Sequence, residues 1–447
     1  VEAHQAGVPL IVVTADRPPE LRHVGAPQTV DQNRLFGEAV HWFVDPGPPS
    51  PEMVGAWRSL GSRMVAEAVR SPAGPGPVHV NLPFREPLLG RASALPAGRH
   101  DGATWHMTAA AKTSVDSELL DWFDGLAPDR PLVVAGAGCG DVETILTFAD
   151  AAGWPVVADP RSGLRTGHPA VITMADALLR DPDLAAAMQP DLVVRLGEPA
   201  ASKVLGEWLA GLSAPQVAVD VQGRWFDSYR TAARIVKAVP SDLLRALAVV
   251  AEAPADGTWT QRWRSLEIGA TEAMDRHVDE IGAATLTEPG VARTVVQFVA
   301  GLGPEGAMPS DEDEFADDTG ADSSSEPGAT LVVSSSMPVR DVEWYGGSTR
   351  SARVLANRGA NGIDGVVSTA VGVALAAGPG EHTVVLVGDV AFLHDSNALL
   401  GLAGRDVDLT VVVVDNDGGG IFSFLAPRRD LPADRFELLF GTPHGVD

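Results

Sequence analysis

Thr383-Val384-Val385-Leu386-Val387-Gly388-Asp389-Val390 and Leu409-Thr410-Val411-Val412-Val413-Val414-Asp415-Asn416-Asp417-Gly418-Gly419-Gly420 are two apolar, β-branched runs, each ending in a polar turn. Such runs separated by helical sequence indicate a parallel-sheet α/β domain, in which ligands bind at the carboxyl edge of the sheet. Asp389 and Asn416 are 27 positions apart, enough for one crossover helix, so two oxygen ligands can converge from neighbouring loops. A hard cation such as Mg²⁺ takes one or two protein oxygens, a backbone carbonyl, and phosphate or water for the rest. Glycines 418–420 would let the backbone approach a diphosphate, with N–H groups and the following helix end as anion donors. On spacing alone, a pair of tight βα turns explains the pattern equally well.

The same alternation extends over the whole chain in three series, which predicts an α/β protein of three doubly wound parallel-sheet domains. The first, residues 1–95, has a strand at Val8–Ala15, a helix near Met53–Val69 and a strand at Pro77–Leu82. A Pro/Gly/Ala-rich linker follows from Leu88 to Gly102. The second, residues 103–255, has strands at Pro131–Ala135, Pro155–Ala158, Leu192–Leu196 and Gln216–Val221, with helices at Asp141–Ala152 and Ala200–Leu212. The third, residues 256–447, opens with helical sequence at Trp259–Val299 and continues with strands at Thr330–Ser334, Thr383–Val387 and Leu409–Val414. Val1 enters midway through a helix and the sequence stops soon after a site loop, so the expectation is a piece of a longer protein lacking sequence at both ends.

A length of 447 residues allows about three domains. The net charge of −26 repels nucleic acid and anionic lipid, whose binding depends on cation–phosphate contacts. No apolar run approaches the roughly 20 residues of a membrane span. The single Cys139 excludes an intrachain disulfide framework, and with no basic-apolar leader at Val1 the expected location is cytoplasmic. Asp311 to Glu326 carries eight carboxylates and one large apolar residue, Phe315, so residues 309–328 are expected to form a disordered acidic insertion. Gly136-Ala137-Gly138-Cys139-Gly140 lacks the full G-x-G-x-x-G pattern and is expected to be a tight turn. His394-Asp395 has no visible third partner and is assigned a supporting or structural role.

The Gly388-Asp389 and Asn416 loops resemble the thiamine-diphosphate (ThDP) motif, GDG followed after about 25–30 residues by an asparagine pair. Val390 stands at the motif's last Gly, and Asp415 at the position where many members have Asn. Four further segments resemble the ThDP-dependent synthases of menaquinone biosynthesis: Thr14-Ala15-Asp16-Arg17-Pro18-Pro19-Glu20-Leu21, the serine run ending at Ser336 with Arg340, Asn357 to Gly365, and Gly419-Gly420-Ile421-Phe422-Ser423. The resemblance spans nearly the whole chain apart from the acidic insertion. It implies ThDP with Mg²⁺, or Mn²⁺, as cofactors. Asp389 and Asn416 would be side-chain metal ligands, with Gly418 as the carbonyl ligand. Val390, Ala391, Gly419 and Ile421 would lie against the cofactor. Gln28, Arg358 and Ile363 would serve catalysis, Ile363 as the aliphatic wedge under the bent cofactor. Arg17, Lys203, Ser336, Arg340 and Phe422 would contact substrate, while Pro27 stands at a position usually Asn.

The same resemblance implies decarboxylation of 2-oxoglutarate and conjugate addition of the resulting carbanion equivalent to isochorismate. Both substrates are dicarboxylates, which arginine forks bind bidentately. It also implies a homodimer or homotetramer, with the cofactor between the first domain of one subunit and the third of another. The glutamate that activates the aminopyrimidine ring is expected upstream of Val1. Two alternatives stay open on sequence alone: a non-catalytic or degenerate homologue that at most binds Mg²⁺–diphosphate, and another ThDP enzyme such as an acetolactate-synthase-like or 2-oxo acid decarboxylase member.

Overall fold

The structure is a computed structural model that describes residues 1–90, 97–108, 115–251, 257–302, 328–350 and 352–446. It divides into two compact units, Val1–Lys112 with Arg358–Asn361, and Thr113–Asn357 with Gly362–Asp447. All three sheets are parallel.

In the first unit β1 (Leu10–Asp16), β2 (Trp42–Val44) and β3 (Pro77–Pro83) pair in the order β1-β3-β2. The strand expected from Val8 starts at Leu10 for a local reason. The Val8 N–H closes the helix Glu2–Ala6 by donating to the Ala3 carbonyl at 2.8 Å, and Pro9 has no N–H for the ladder. Central β3 is buried along nearly its whole length, and the helix Trp57–Arg70 packs on β1 and β3. Residues 91–96 of the expected linker lie outside the described residues.

The second unit holds two sheets. The larger comprises β4 (Pro131–Ala135), β5 (Val156–Ala158), β6 (Val171–Ile172), β7 (Leu192–Leu196), β8 (Gln216–Asp220) and β9 (Ala232–Lys237), in the order β6-β5-β4-β7-β8-β9. The chain direction across the sheet therefore reverses between β4 and β7, the doubly wound pattern. Leu119, Phe123, Ile145 and Phe148 fill one face, and Met174, Leu205, Trp259 and Trp263 the other. The helices start on caps legible in the sequence: Asp141 Oδ2 accepts from Thr144 N at 2.8 Å, and Ser202 Oγ from Leu205 N at 2.9 Å. The Gly136–Gly140 segment is a turn packed on the loop after β7, where a Cβ at Gly136 would overlap the Glu198 carbonyl.

The smaller sheet has the order β11-β10-β12-β13, with β10 (Ala329–Val333), β11 (Arg353–Ala356), β12 (His382–Gly388) and β13 (Leu409–Val414). The helical sequence expected at its head divides into two helices that pack differently. Thr258–Gly282 lies on the larger sheet: Trp259 Nε1 donates to the Pro131 carbonyl at 2.7 Å, Trp263 is fully buried, and Glu267 accepts from the Thr173 and Met174 amides. Its indole stripe thus belongs to the middle core rather than to the third series. Glu288–Gly301 covers the smaller sheet through Val295, Val296 and Val299. Of the acidic stretch 309–328, all but Gly328 lies outside the described residues.

Arg165 joins the two sheets of this unit. Fully buried, it donates to the carbonyls of Ala158 (2.9 Å) and Glu343 (3.1 Å), and its own carbonyl accepts from Thr349 N (2.8 Å). Among the described residues no helix is long and apolar enough to cross a membrane.

Candidate active site

Parallel pairing of β12 with β13 sets Gly388 opposite Val414, so Asp389 and Asp415 open neighbouring loops at one carboxyl edge. Asp389 is the first residue of a helix (Asp389–Asp395) and is 5% exposed. Its Oδ1 accepts from Val390 N at 2.7 Å, and its Oδ2 from Gly418 N at 2.8 Å. His444 Nε2 lies 3.0 Å from the same Oδ2. Burial opposes ionisation of this carboxyl, but the Gly418 amide, the His444 ring and the Val390 amide hold it below the usual carboxylate range.

The loop after β13 is built from its own acids. Asp415 Oδ1 accepts from Asp417 N at 2.9 Å, and Asp417 Oδ1 accepts from the amides of His444 (3.0 Å) and Gly445 (2.7 Å). Glycine is needed at Gly418, where φ is +133° and a Cβ would overlap the Gly441 carbonyl. At Gly419 a Cβ would overlap the Phe440 carbonyl. The close approach that the glycine run allows is therefore made, in these two directions, by the chain's own 440–442 backbone.

Ligand atoms of Asp389, Asp415 and His444 lie within 4.8 Å of one another. Two carboxylates and an imidazole at a sheet's carboxyl edge suit a divalent cation. Asn416, exposed beside them, donates Nδ2 to Glu288 Oε1 at 2.8 Å, and its Oδ1 accepts no hydrogen bond among the described residues. The carboxylate and amide oxygens of Asp389, Asp415 and Asn416 are of the kind a hard cation takes, with phosphate oxygens completing its shell, whereas the His444 imidazole suits softer divalent ions and here braces Asp389.

Next along the edge, β10 runs into Ser334-Ser335-Ser336 and the helix Met337–Tyr345. Arg340 folds back on this loop, Nη1 donating to the carbonyls of Ser336 (2.6 Å) and Ser335 (3.3 Å), and it forms no ion pair among the described residues. Ser335 Oγ donates to the Asn357 carbonyl. Phe422 rests edge-on against Phe440, with ring centroids 5.5 Å apart. Ile421 and Phe422 share a short 3-10 turn, Gly420–Phe424, and Ile363 is 37% exposed. Val390 is half-buried, whereas the Ala391 methyl belongs to the core below the loop. Lys203 starts a helix beside the larger sheet, where it is 81% exposed and 3.4 Å from Glu207. Asp395 caps the helix Val366–Ala376, accepting from the Ser368 amide at 2.6 Å and hydroxyl at 2.8 Å.

In the first unit, Arg17 and Gln28 lie in the loop that leaves β1. That loop hangs on Asp16, which accepts from Arg17 N (2.7 Å), Arg22 Nη2 (2.8 Å) and Asn81 Nδ2 (2.8 Å). Gln28 is exposed at φ +52°. The Arg358 segment is gripped by Glu2, whose two carboxylate oxygens accept from the amides of Gly359 (2.7 Å) and Ala360 (2.6 Å). Glu2, Glu288 and His444 carried no local signal of these contacts. Thr287-Glu288-Pro289 announces a helix start and nothing more.

Two family descriptions match the sequence: a middle domain of thiamine pyrophosphate enzymes over residues 100–301, and a thiamine pyrophosphate enzyme, C-terminal TPP binding domain, over residues 344–426. Aligned over its full length, the chain is 37% identical to the 2-succinyl-5-enolpyruvyl-6-hydroxy-3-cyclohexene-1-carboxylate synthase of Haloquadratum walsbyi and covers 75% of that protein. It is 37% identical to the synthase of the same name from Bacillus velezensis, covering 73%, and 40% identical to that of Halobacterium salinarum, covering 74%. The chain belongs to this synthase family. A solved structure described as a candidate thiamin diphosphate-dependent enzyme from Mycobacterium smegmatis shares the fold with a TM-score of 0.60 at 19% identity, over 94% of this chain and 73% of that one. Asp389 and Asn416 both fall within the matched stretch 344–426.

Proposed function

We propose that this synthase-family chain carries out ThDP-dependent decarboxylation of 2-oxoglutarate and conjugate addition of the four-carbon unit to isochorismate, in menaquinone biosynthesis. The observation that carries the proposal is the Asp389–Asp415–His444 cluster with the glycine turn at one sheet edge, in a chain with full-length kinship to the synthases. Asp389, Asn416 and the Gly418 carbonyl would hold Mg²⁺, or Mn²⁺. Val390, Gly419 and Ile421 would lie against the cofactor, Ala391 only through its backbone because its methyl is in the core. When bound, ThDP supplies the electron sink for the carbanion. The chain's own residues orient and neutralise. Arg340, already braced by the Ser335 and Ser336 carbonyls, retains donors for a carboxylate, with Ser336 alongside it. Arg17, Lys203 and Arg358 are the further cations for two dianionic substrates, Gln28 is a polar contact, Ile363 is the aliphatic wedge under the cofactor, and Phe422 walls the apolar side of the substrate pocket.

The first sheet corresponds in this proposal to the pyrimidine-binding domain (residues 1–95), the second to a middle domain, and the third to the diphosphate domain. The enzyme would be a cytoplasmic homodimer or homotetramer. The test is to incubate the full-length enzyme with ThDP, Mg²⁺, 2-oxoglutarate and isochorismate and to follow CO₂ release and loss of isochorismate. Coupled consumption of both is expected. Turnover of pyruvate or another 2-oxo acid without loss of isochorismate would move the chain to a different ThDP activity.

A further inference from the structure

Asn416 can present either end of its amide to the site, and only the oxygen can hold a cation. Which end is left free is set by a residue 128 positions earlier: Glu288 Oε1 accepts from Asn416 Nδ2 at 2.8 Å. An ionised carboxylate only accepts, so a reversed amide would set oxygen against oxygen. Glu288 is itself held in place. It is the first residue of the helix Glu288–Gly301, whose start is capped by Thr287 Oγ1 accepting from Gly290 N at 3.2 Å. The helix is anchored on the third sheet through Val295, Val296 and Val299, so the carboxylate sits on a rigid element.

We propose that Glu288 is a positioning residue for the cation, fixing the Asn416 amide by its nitrogen and leaving Oδ1 for the metal. This role rests on Asn416 being a metal ligand. Outer partners that orient a ligand typically contribute about 10- to 100-fold to metal affinity.

The test uses the full-length protein, freed of metal, with Mn²⁺ binding followed by electron paramagnetic resonance in the presence of ThDP, and the thermal midpoint measured without metal. Glu288→Ala should weaken Mn²⁺ binding about 10-fold or more while the metal-free midpoint stays near that of the parent. Glu288→Gln, which can accept from Asn416 but also donates and so tolerates the reversed amide, should restore only part of the affinity. In an Asn416→Ala background Glu288→Ala should have no further effect on Mn²⁺. Normal Mn²⁺ affinity in Glu288→Ala, with Asn416→Ala weakened, would overturn the role of Glu288 alone. Unchanged affinity in Asn416→Ala would remove the metal-ligand assignment and this role with it. Additive losses in the double variant would reduce Glu288 to a structural residue.

Discussion

His444 Nε2 lies 3.0 Å from Asp389 Oδ2, a contact that spans 55 residues of sequence. It fastens the end of the described chain to the loop after β12, while the His444 and Gly445 amides hold the Asp417 turn after β13. Three segments that share no local pattern thus meet at one carboxylate.

Asp389 accepts from two backbone amides and one imidazole, so its removal unties both loops as well as taking away a charge. Asp389→Ala should abolish Mg²⁺-dependent ThDP binding, measured by calorimetric titration with and without the metal. Metal-dependent ThDP binding at parental strength would exclude Asp389 as a ligand.

Arg340 separates substrate recognition from stability. Losing a charge-assisted hydrogen bond to a substrate carboxylate should lower kcat/KM by about 10- to 150-fold, or roughly 1.5–3 kcal/mol. Its contacts to the Ser335 and Ser336 carbonyls predict a small stability loss on top, about 1 kcal/mol. The check is turnover and thermal midpoint of Arg340→Ala side by side. Near-normal turnover, or a fall in midpoint large enough to explain the lost activity, would return Arg340 to a purely structural role.

Much of the fold is local information, and much of the site is not. Pro131–Ala135, Leu192–Leu196 and Leu409–Val414 form strands at the boundaries expected from sequence, because each is a mainly apolar, valine-rich run closed by turn residues. Trp42–Val44 and Val171–Ile172 are too short to show a pattern, and Ala232–Lys237 carries Arg234 and Lys237 within the strand. The loop positions of Asp389 and Asn416 are legible because each lies within two residues of the end of an apolar strand. Glu2 on the Gly359 amide, Glu288 on Asn416 and His444 on Asp389 arise only when distant segments pack together. Trp259 and Trp263 point the same way: their helix is evident in sequence, but the sheet it covers is chosen by tertiary packing.

Cys139 gives a probe of the middle domain. It is buried, its Sγ donates to the Ser162 carbonyl at 3.3 Å, and burial pushes the thiol up to about 12. A thiol reagent at pH 8 should therefore leave the native protein unmodified and label one equivalent in denaturant. Rapid native labelling would show that the turn after β4 opens readily.

Glu343 predicts a pH-dependent stability. It is buried on the helix Met337–Tyr345 among Asp159, Arg165, Asp176 and Arg161, and its Oε2 has no hydrogen-bond partner among the described residues. Burial, then the Asp159 charge, push the carboxyl up to about 8, against the opposing pull of Arg165. The ordinary value is 4.5, so between these limits the native state binds the extra proton. Its contribution to stability is therefore fully present below about pH 4.5 and is lost as the pH rises through about 8. Glu343→Gln keeps the shape of the neutral acid and cannot ionise. The variant should match the parent in thermal midpoint near pH 4 and exceed it at pH 9. Asp341, pushed up to about 7 by burial and then by the Glu288 charge, titrates in both proteins, so the comparison at each pH isolates Glu343. Equal midpoints at pH 9, or a variant weaker at both pH values, would mean that Glu343 is ionised and paired with Arg165 in the native state.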